Sequence, residues 1–230
     1  MCGRFTLTID REEFKRNFNY TLERFDYNPN YNIAPGQEVP VIYRMPGENE
    51  ISVRKMRWGL VPRWAENKKL GYRLINARGE TVDKKPAFRD AFSKRRCLVP
   101  ADGFYEWRKN NGTKTPFRIM LPTGNPFAFA GLWEKWINPE NEKEELYSFT
   151  IITTDAAASI REIHPRMPVM MVDEKIWGKW LDPGAEAETL KEILKPYEGE
   201  LFYYEVSTLV NSPTNNFPEI IQPVKGGKAE

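Results

Sequence analysis

Hydrophobic and polar positions along the chain mark out short elements rather than long ones. Asp10 followed by Glu13 reads as a helix start, and Phe14 and Phe18 then fall four apart, which predicts a helix with one aromatic face. "PVIYRM" and "ISVRKMRWGLV" read as strands around the turn "PGENE". "ETVDKKPAFRDAFSKRR" reads as a helix, with Pro86 early in its main part and Phe88 and Phe92 facing inward. "CLVPADGFYEWRK" reads as two short strands around Pro100-Ala101-Asp102-Gly103, and "KTPFRIMLPTGNPFAFAGLWEKW" as a hairpin turning at Pro122-Thr123-Gly124-Asn125. "LYSFTIITT" is β-branched and apolar enough for a buried strand. "DAAASIREIH" predicts a short helix from Asp155 to His164, and "RMPVMMV" a strand. "DEKIWGKWL" and "AETLKEILKPY" predict helices, the first burying Ile176, Trp177 and Trp180. "LFYYEVST" is the last predicted strand.

Short strands with helices scattered between them give an α+β class, not regular βαβ alternation. The expected architecture is a partly closed, barrel-like arrangement of antiparallel and mixed β-sheets flanked by helices. No linker divides the chain, and no solenoid repeat is present. One domain is expected over residues 1–222, followed by a flexible tail, 223–230, "PVKGGKAE".

Composition changes the picture mainly by exclusion. A chain of 230 residues buries on the order of 70% of its unfolded surface and needs no covalent staples. Cys2 and Cys97 are its only cysteines, so a disulfide framework is not expected and a reducing compartment fits. The start "MCGRFTLTIDREEF" lacks the apolar core of a signal peptide, and no apolar run reaches membrane-spanning length. A soluble cytoplasmic protein without a membrane partner is expected. With His164 the single histidine, a zinc site would have only Cys2, Cys97 and His164 to draw on, so no metal and no cofactor is expected.

The net charge of +2 neither demands nor excludes a nucleic acid. The segment "RKMRWGLVPRWAENKKLGYRLINARGE" is basic with interleaved tryptophans, a pattern that suits a single-strand groove and equally a solvated face.

Four residues offer chemistry. Cys2 follows an initiator methionine that aminopeptidase should remove, leaving a thiol and a free α-amine on one residue. An α-amine has a pKa of about 7.7–8.0, so part of it is neutral near pH 7. Such an aminothiol condenses with an aldehyde to an imine, and the thiol then closes a thiazolidine ring. Asn76 in "LINARGE" can fix a nucleophile or donate to a developing oxyanion, or simply end a strand. Glu106 in "GFYEWRK" shares a strand face with Phe104, where partial desolvation would raise its pKa and suit it to acid–base work. His164, held extended before Pro165, can trade protons at neutral pH. Arg78 and Arg166 can fork onto a phosphate or remain solvated.

Taken together, ordered blocks resemble one family. "MCGRF", "YNIAPG" at 31–36, "WGLVPRW" at 58–64, "NARGET" at 76–81, "PADGFYEW" at 100–107 and "HPRMP" at 164–168 are similar to the SOS-response-associated peptidase (SRAP) family of abasic-site processing proteins, and they span nearly the whole chain. The resemblance implies a SRAP-type domain. It also implies a partner, single-stranded DNA carrying abasic sites, to which Cys2 would link through the opened sugar's aldehyde. By that resemblance Asn76 positions the amine, Glu106 is general acid and base, and His164 contacts the opened sugar and helps move protons. Arg4, Arg78 and Arg166 would hold phosphates, and Pro35 and Trp64 would stack on or wedge between bases. A latent abasic-site lyase activity and N-terminal autoprocessing also follow from the resemblance, and a monomer is expected. Lys84, Lys85 and Pro86 stand where a basic DNA contact is expected, and Ala65 stands where some members carry a second tryptophan. The alternatives are an N-terminal-nucleophile thiol peptidase or amidohydrolase, with Cys2 attacking amides, and a non-catalytic single-strand binding module.

Overall fold

Two β-systems share one core, and strand β1 joins them. The computed structural model describes residues 2–22, 26–110 and 112–224. In chain order the elements are β1 (Phe5–Leu7), α1 (Arg11–Phe18), β2 (Asn30–Ile33), β3 (Glu38–Arg44), β4 (Ile51–Trp58), β5 (Asn76–Arg78) and α2 (Arg89–Lys94). There follow β6 (Arg96–Ala101), β7 (Gly103–Asn110), β8 (Thr113–Met120), β9 (Phe127–Asn138), β10 (Asn141–Asp155), β11 (Arg166–Pro168) and β12 (Met170–Met171). α3 (Glu174–Leu181), α4 (Ala187–Ile193) and β13 (Phe202–Glu205) complete the set, with short 3-10 turns between.

The ladders β10–β4–β3–β6–β9 return to β10, so these five strands close into a barrel. Closure removes the unpaired edges that an open sheet must protect. The β10–β4 ladder is parallel and the other four are antiparallel, so the sheet is mixed as expected. A second sheet, ordered β13–β8–β7–β1–β2, packs beside the barrel. The Phe5 ring on β1 meets Trp58 at 5.1 Å and Phe129 at 5.7 Å, both edge-on and both contributed by barrel strands. Such aromatic pairs add to the burial energy of the rings themselves.

α1 forms as its pattern predicts. The Asp10 carboxylate accepts from the Glu13 N–H at 2.8 Å, Glu13 accepts from the Asp10 N–H at 3.2 Å, and Asn19 ends the helix at φ 58°. Phe14 and Phe18 are buried with their rings 5.0 Å apart.

Four expectations need correction. Residues 80–96 are not one helix: a 3-10 turn at Gly79–Thr81 and a bend precede the six-residue α2. Pro86 disfavours a helical Lys85 and offers no N–H, so the helix starts only after it. Phe88 and Phe92 are buried nonetheless. The stretch 114–136 is not a hairpin, because β8 pairs with β7 and β13 while β9 pairs with β6, β10 and β12. Its turn is real, with Gly124 at φ 74°, but it passes the chain from one sheet to the other. Residues 155–164 form a 3-10 turn at Ala158–Ile160 instead of an α-helix, and "RMPVMMV" divides into β11 and β12. At the start of the predicted tail, Pro223 forms an isolated bridge with Val206, and the Val224 N–H donates to the Glu205 carbonyl at 3.0 Å. Residues 225–230 of the predicted tail lie outside the described residues.

The corner between β6 and β7 shows how the two systems are joined. Asp102 is buried; its carboxylate accepts from the Thr6 hydroxyl at 2.5 Å, the Thr8 hydroxyl at 2.7 Å and the Thr8 N–H. Arg118 completes the buried ion pair at 3.3 Å. At Gly103 a Cβ would lie 2.9 Å from Arg118 Nε and 3.0 Å from Thr6 Oγ1, so only glycine fits without displacing this network.

Candidate active site

Cys2 enters the core directly before β1. The Phe5–Phe104 pairing and a bond from the Tyr105 N–H to the Arg4 carbonyl at 2.9 Å fix the chain's first residues against β7. Cys2 itself has no exposed surface, and its Sγ lies 3.8 Å from the Arg4 carbonyl. Burial, and then the charge of nearby Glu106, push the thiol far above its usual range, so it is held as S–H.

Asn76 approaches from the barrel. It opens β5, which pairs in parallel with Ile151–Thr153 of β10. Just before it, the Ile75 carbonyl accepts from the Trp58 indole at 2.8 Å and from the Ile151 N–H at 3.2 Å, so the strand is pinned where the side chain leaves it. The Asn76 amide donates to the Cys2 carbonyl at 2.7 Å. Its Oδ1 is buried and has no hydrogen-bond partner among the described residues, which leaves an acceptor beside Cys2.

Glu106 lies on β7 just beyond the last residue that β1 pairs. It is 4% exposed, and burial raises its pKa to about 7 from the usual 4.5. The carboxyl therefore exchanges its proton near neutrality, the condition for general acid–base work. His164 Nδ1 stands 4.0 Å from Glu106 Oε1. The same Nδ1 is 3.0 Å from both the N–H and the carbonyl of Arg166; the first contact uses a bare nitrogen and the second a protonated one. Burial lowers the His164 pKa, so the ring is neutral at physiological pH.

The structure thus joins Cys2 to Asn76, Cys2 to the Glu106 charge, and Glu106 to His164. Met1 lies outside the described residues. The residues expected at phosphates divide. Arg78 is exposed at the end of β5. Arg4 turns inward: its Nη1 donates to Asn32 Oδ1 at 2.7 Å and to the Val210 carbonyl at 2.5 Å. Arg166 is engaged by Glu80 at 2.5 Å, Asp155 at 2.9 Å and the Thr153 carbonyl at 2.7 Å. Trp64 is 62% exposed and Pro35 is half-buried in a surface turn. Lys84 and Lys85 are exposed.

Sequence reasoning missed several residues of the site. A cleft of about 480 Å³ opens over Glu106 and His164, and its remaining lining is Trp107, Lys109, Lys114 and Asn211. Trp107 donates to Asn211 Oδ1 at 2.8 Å. Trp107 and Lys109 follow Glu106 on the same strand, but strand alternation assigns them to the opposite face, so a strand-face argument does not find them. Asn211 carries no local signal. Nor did the sequence mark Asn32, which is fully buried and donates to the carbonyls of Ser212 and Asn215 at 3.0 and 2.7 Å while accepting from Arg4. No group of three or more metal-ligating side chains occurs among the described residues, and no helix there is long and apolar enough to cross a membrane.

Comparison with known proteins adds independent findings. The family model described as SOS response associated peptidase (SRAP) matches residues 1–213. The abasic site processing protein YoqW of Bacillus subtilis is 45% identical over 227 residues, covering 96% of this chain and 99% of YoqW. The abasic site processing protein HMCES of Xenopus tropicalis is 30% identical over 265 residues, covering 97% of this chain and 78% of its own. A crystal structure of a protein from Bacteroides thetaiotaomicron superposes with a TM-score of 0.84 at 25% identity, covering 97% of this chain and all of that one.

Proposed function

Since the chain belongs to the SOS response associated peptidase (SRAP) family, we propose that it processes abasic sites in single-stranded DNA by trapping the opened sugar on Cys2. The observation that carries the reading is a linked set of contacts: Asn76 bonds the Cys2 carbonyl, the Glu106 charge acts on the Cys2 thiol, and His164 stands 4.0 Å from Glu106.

The chemistry begins once Met1 is removed and the residue-2 nitrogen is a free amine. The neutral amine attacks C1′ of the aldehyde. The resulting carbinolamine loses its hydroxyl as water, with Glu106 in its acid form supplying the proton. The imine carbon is then attacked by Cys2 sulfur; the S–H proton ends on nitrogen, and a thiazolidine closes. Aldehyde plus aminothiol gives ring plus water. Thiolate is the nucleophilic form of cysteine, so the S–H proton must leave sulfur as the C–S bond forms, and the imine nitrogen takes it. His164, neutral and next to Glu106, exchanges protons with the opened sugar. An imine that fails to close acidifies C2′ and permits β-elimination, a latent lyase activity that ring closure suppresses. The same acid–base set would also serve removal of Met1 by the protein itself. The reading places a monomer on DNA in the cytoplasm, at the nucleoid, during the response to DNA damage.

The test is a single-stranded oligonucleotide with one abasic site, incubated with the protein and resolved on a denaturing gel. A heat-stable adduct is expected. Cys2→Ser should give a weaker, imine-type adduct and more strand cleavage, and an extension that blocks the residue-2 amine should abolish the adduct but not binding. Equally stable adducts from Cys2→Ser would overturn ring closure; adducts from the blocked protein would overturn the role of the amine.

A further inference from the structure

The β7–β8 ladder carries a charge arrangement that strand pairing itself disfavours. Lys109 and Lys114 are register partners, directly opposite one another on one face of the sheet. Like charges at such positions destabilise a strand pair. Four other lysines are matched with acids: Lys68 with Glu144, Lys94 with Asp90, Lys135 with Glu145 and Lys191 with Asp83. Neither Lys109 nor Lys114 has a carboxylate within ion-pair distance among the described residues. Both line the cleft that holds Glu106 and His164, and both are exposed to it. The charge of Lys109 reaches the imidazole: after burial, it is one of the influences that lower the His164 pKa. A local rule broken beside a reactive centre, with no compensating contact, is the mark of a site built for a ligand.

We propose that Lys109 and Lys114 form a phosphate-binding pair that takes one phosphodiester flanking the abasic sugar. The inference rests on the reading that single-stranded DNA enters this cleft. Two ammonium groups with no acid between them complement one anion, and a phosphodiester offers one free oxygen to each. Lysine binds phosphate as a point charge on a flexible stem, so the pair would tolerate any base at the neighbouring nucleotide. Phosphate bound there also relieves the repulsion between the two lysines, so the charge mismatch in the free protein favours the bound state. The pair lies on the strand that carries Glu106, three residues beyond it and on the partner strand opposite. It would fix the register of the DNA backbone relative to the acid.

The test uses fluorescence anisotropy with a single strand carrying a tetrahydrofuran abasic analogue, which has no aldehyde and reports binding alone. Loss of one phosphate contact in the Lys109→Gln/Lys114→Gln double variant lowers the salt slope by about 0.7 and weakens binding about fivefold at 0.1 M salt. A second series places a single uncharged methylphosphonate at each linkage around the analogue. One linkage should cost the wild type about fivefold and the double variant nothing. Equal losses for both proteins at every linkage, or unchanged affinity and slope in the double variant, overturn the inference while leaving the functional reading intact. A wild-type protein that does not bind the strand overturns the functional reading and the inference with it.

Discussion

Glu106→Gln should make the fold more stable and the protein less reactive. Burial holds the Glu106 proton up to about pH 7, against 4.5 for an unhindered glutamate. The folded chain therefore binds this proton more tightly than the unfolded chain does. By linkage, stability is greatest below 4.5, falls as pH rises between 4.5 and 7, and the loss is complete above 7. At 1.36 kcal/mol per pH unit, that interval is worth about 3 kcal/mol. Glutamine keeps the shape and cannot ionise, so it escapes the loss. His164 acts in the opposite sense: its pKa is lowered on folding, so it adds stability as pH rises through that lower value toward 6.5. The wild-type curve mixes both effects, and the difference between the two proteins isolates Glu106. Urea unfolding at intervals from about pH 5 to pH 8.5 measures it. The variant should gain relative to wild type across this range, reaching about 3 kcal/mol at the alkaline end, while its adduct yield falls at every pH. A difference that stays flat would refute the reasoning, because an exposed or already ionised Glu106 could not act as the acid.

Two further substitutions probe the frame. Arg4→Lys keeps the charge but loses the fork that binds Asn32 and Val210. Charged hydrogen bonds of this kind are worth about 1.5–3 kcal/mol, so thermal or urea unfolding should show a loss of that order, whereas a purely phosphate-binding role for Arg4 would leave stability unchanged. Gly103→Ala inserts a methyl 2.9 Å from Arg118 Nε in the buried Asp102 network; a loss of about 1–3 kcal/mol is expected in the same assay, and a neutral result would show that the corner relaxes freely.

The parts of the fold that were legible in the sequence are those decided locally. The Asp10–Glu13 box and the Phe14–Phe18 spacing specify α1 without outside help. β3, β4 and the buried middle of β10 announce themselves by β-branched runs. What the sequence hid is the choice of partner. The turn at Pro122–Asn125 has hairpin chemistry, yet each flanking strand finds better burial in a different sheet, a decision made by long-range packing. The residues proposed for the chemistry could be singled out by type and place, a cysteine at position 2, a glutamate among aromatics, a histidine before proline, but only the ordered blocks that resemble the family gave them roles. The arginines were less legible. An arginine side chain reads the same whether it will meet a phosphate or, as Arg4 and Arg166 do here, carbonyls and carboxylates of the protein itself. Lys109 and Lys114 each look ordinary, and only the strand register reveals that they face one another.

Chain ends usually fray unless something ties them down. Here the tie is β1, held between β7 and β2 and locked into the barrel by the Phe5 ring, only three residues from Cys2. A load applied at residue 2 would run along that strand and be shared by ladders on either side, in shear rather than by peeling. Cargo fastened to this terminus would be tethered to the body of the protein and not to a loose tail, so pulling it away would mean breaking into the molecule.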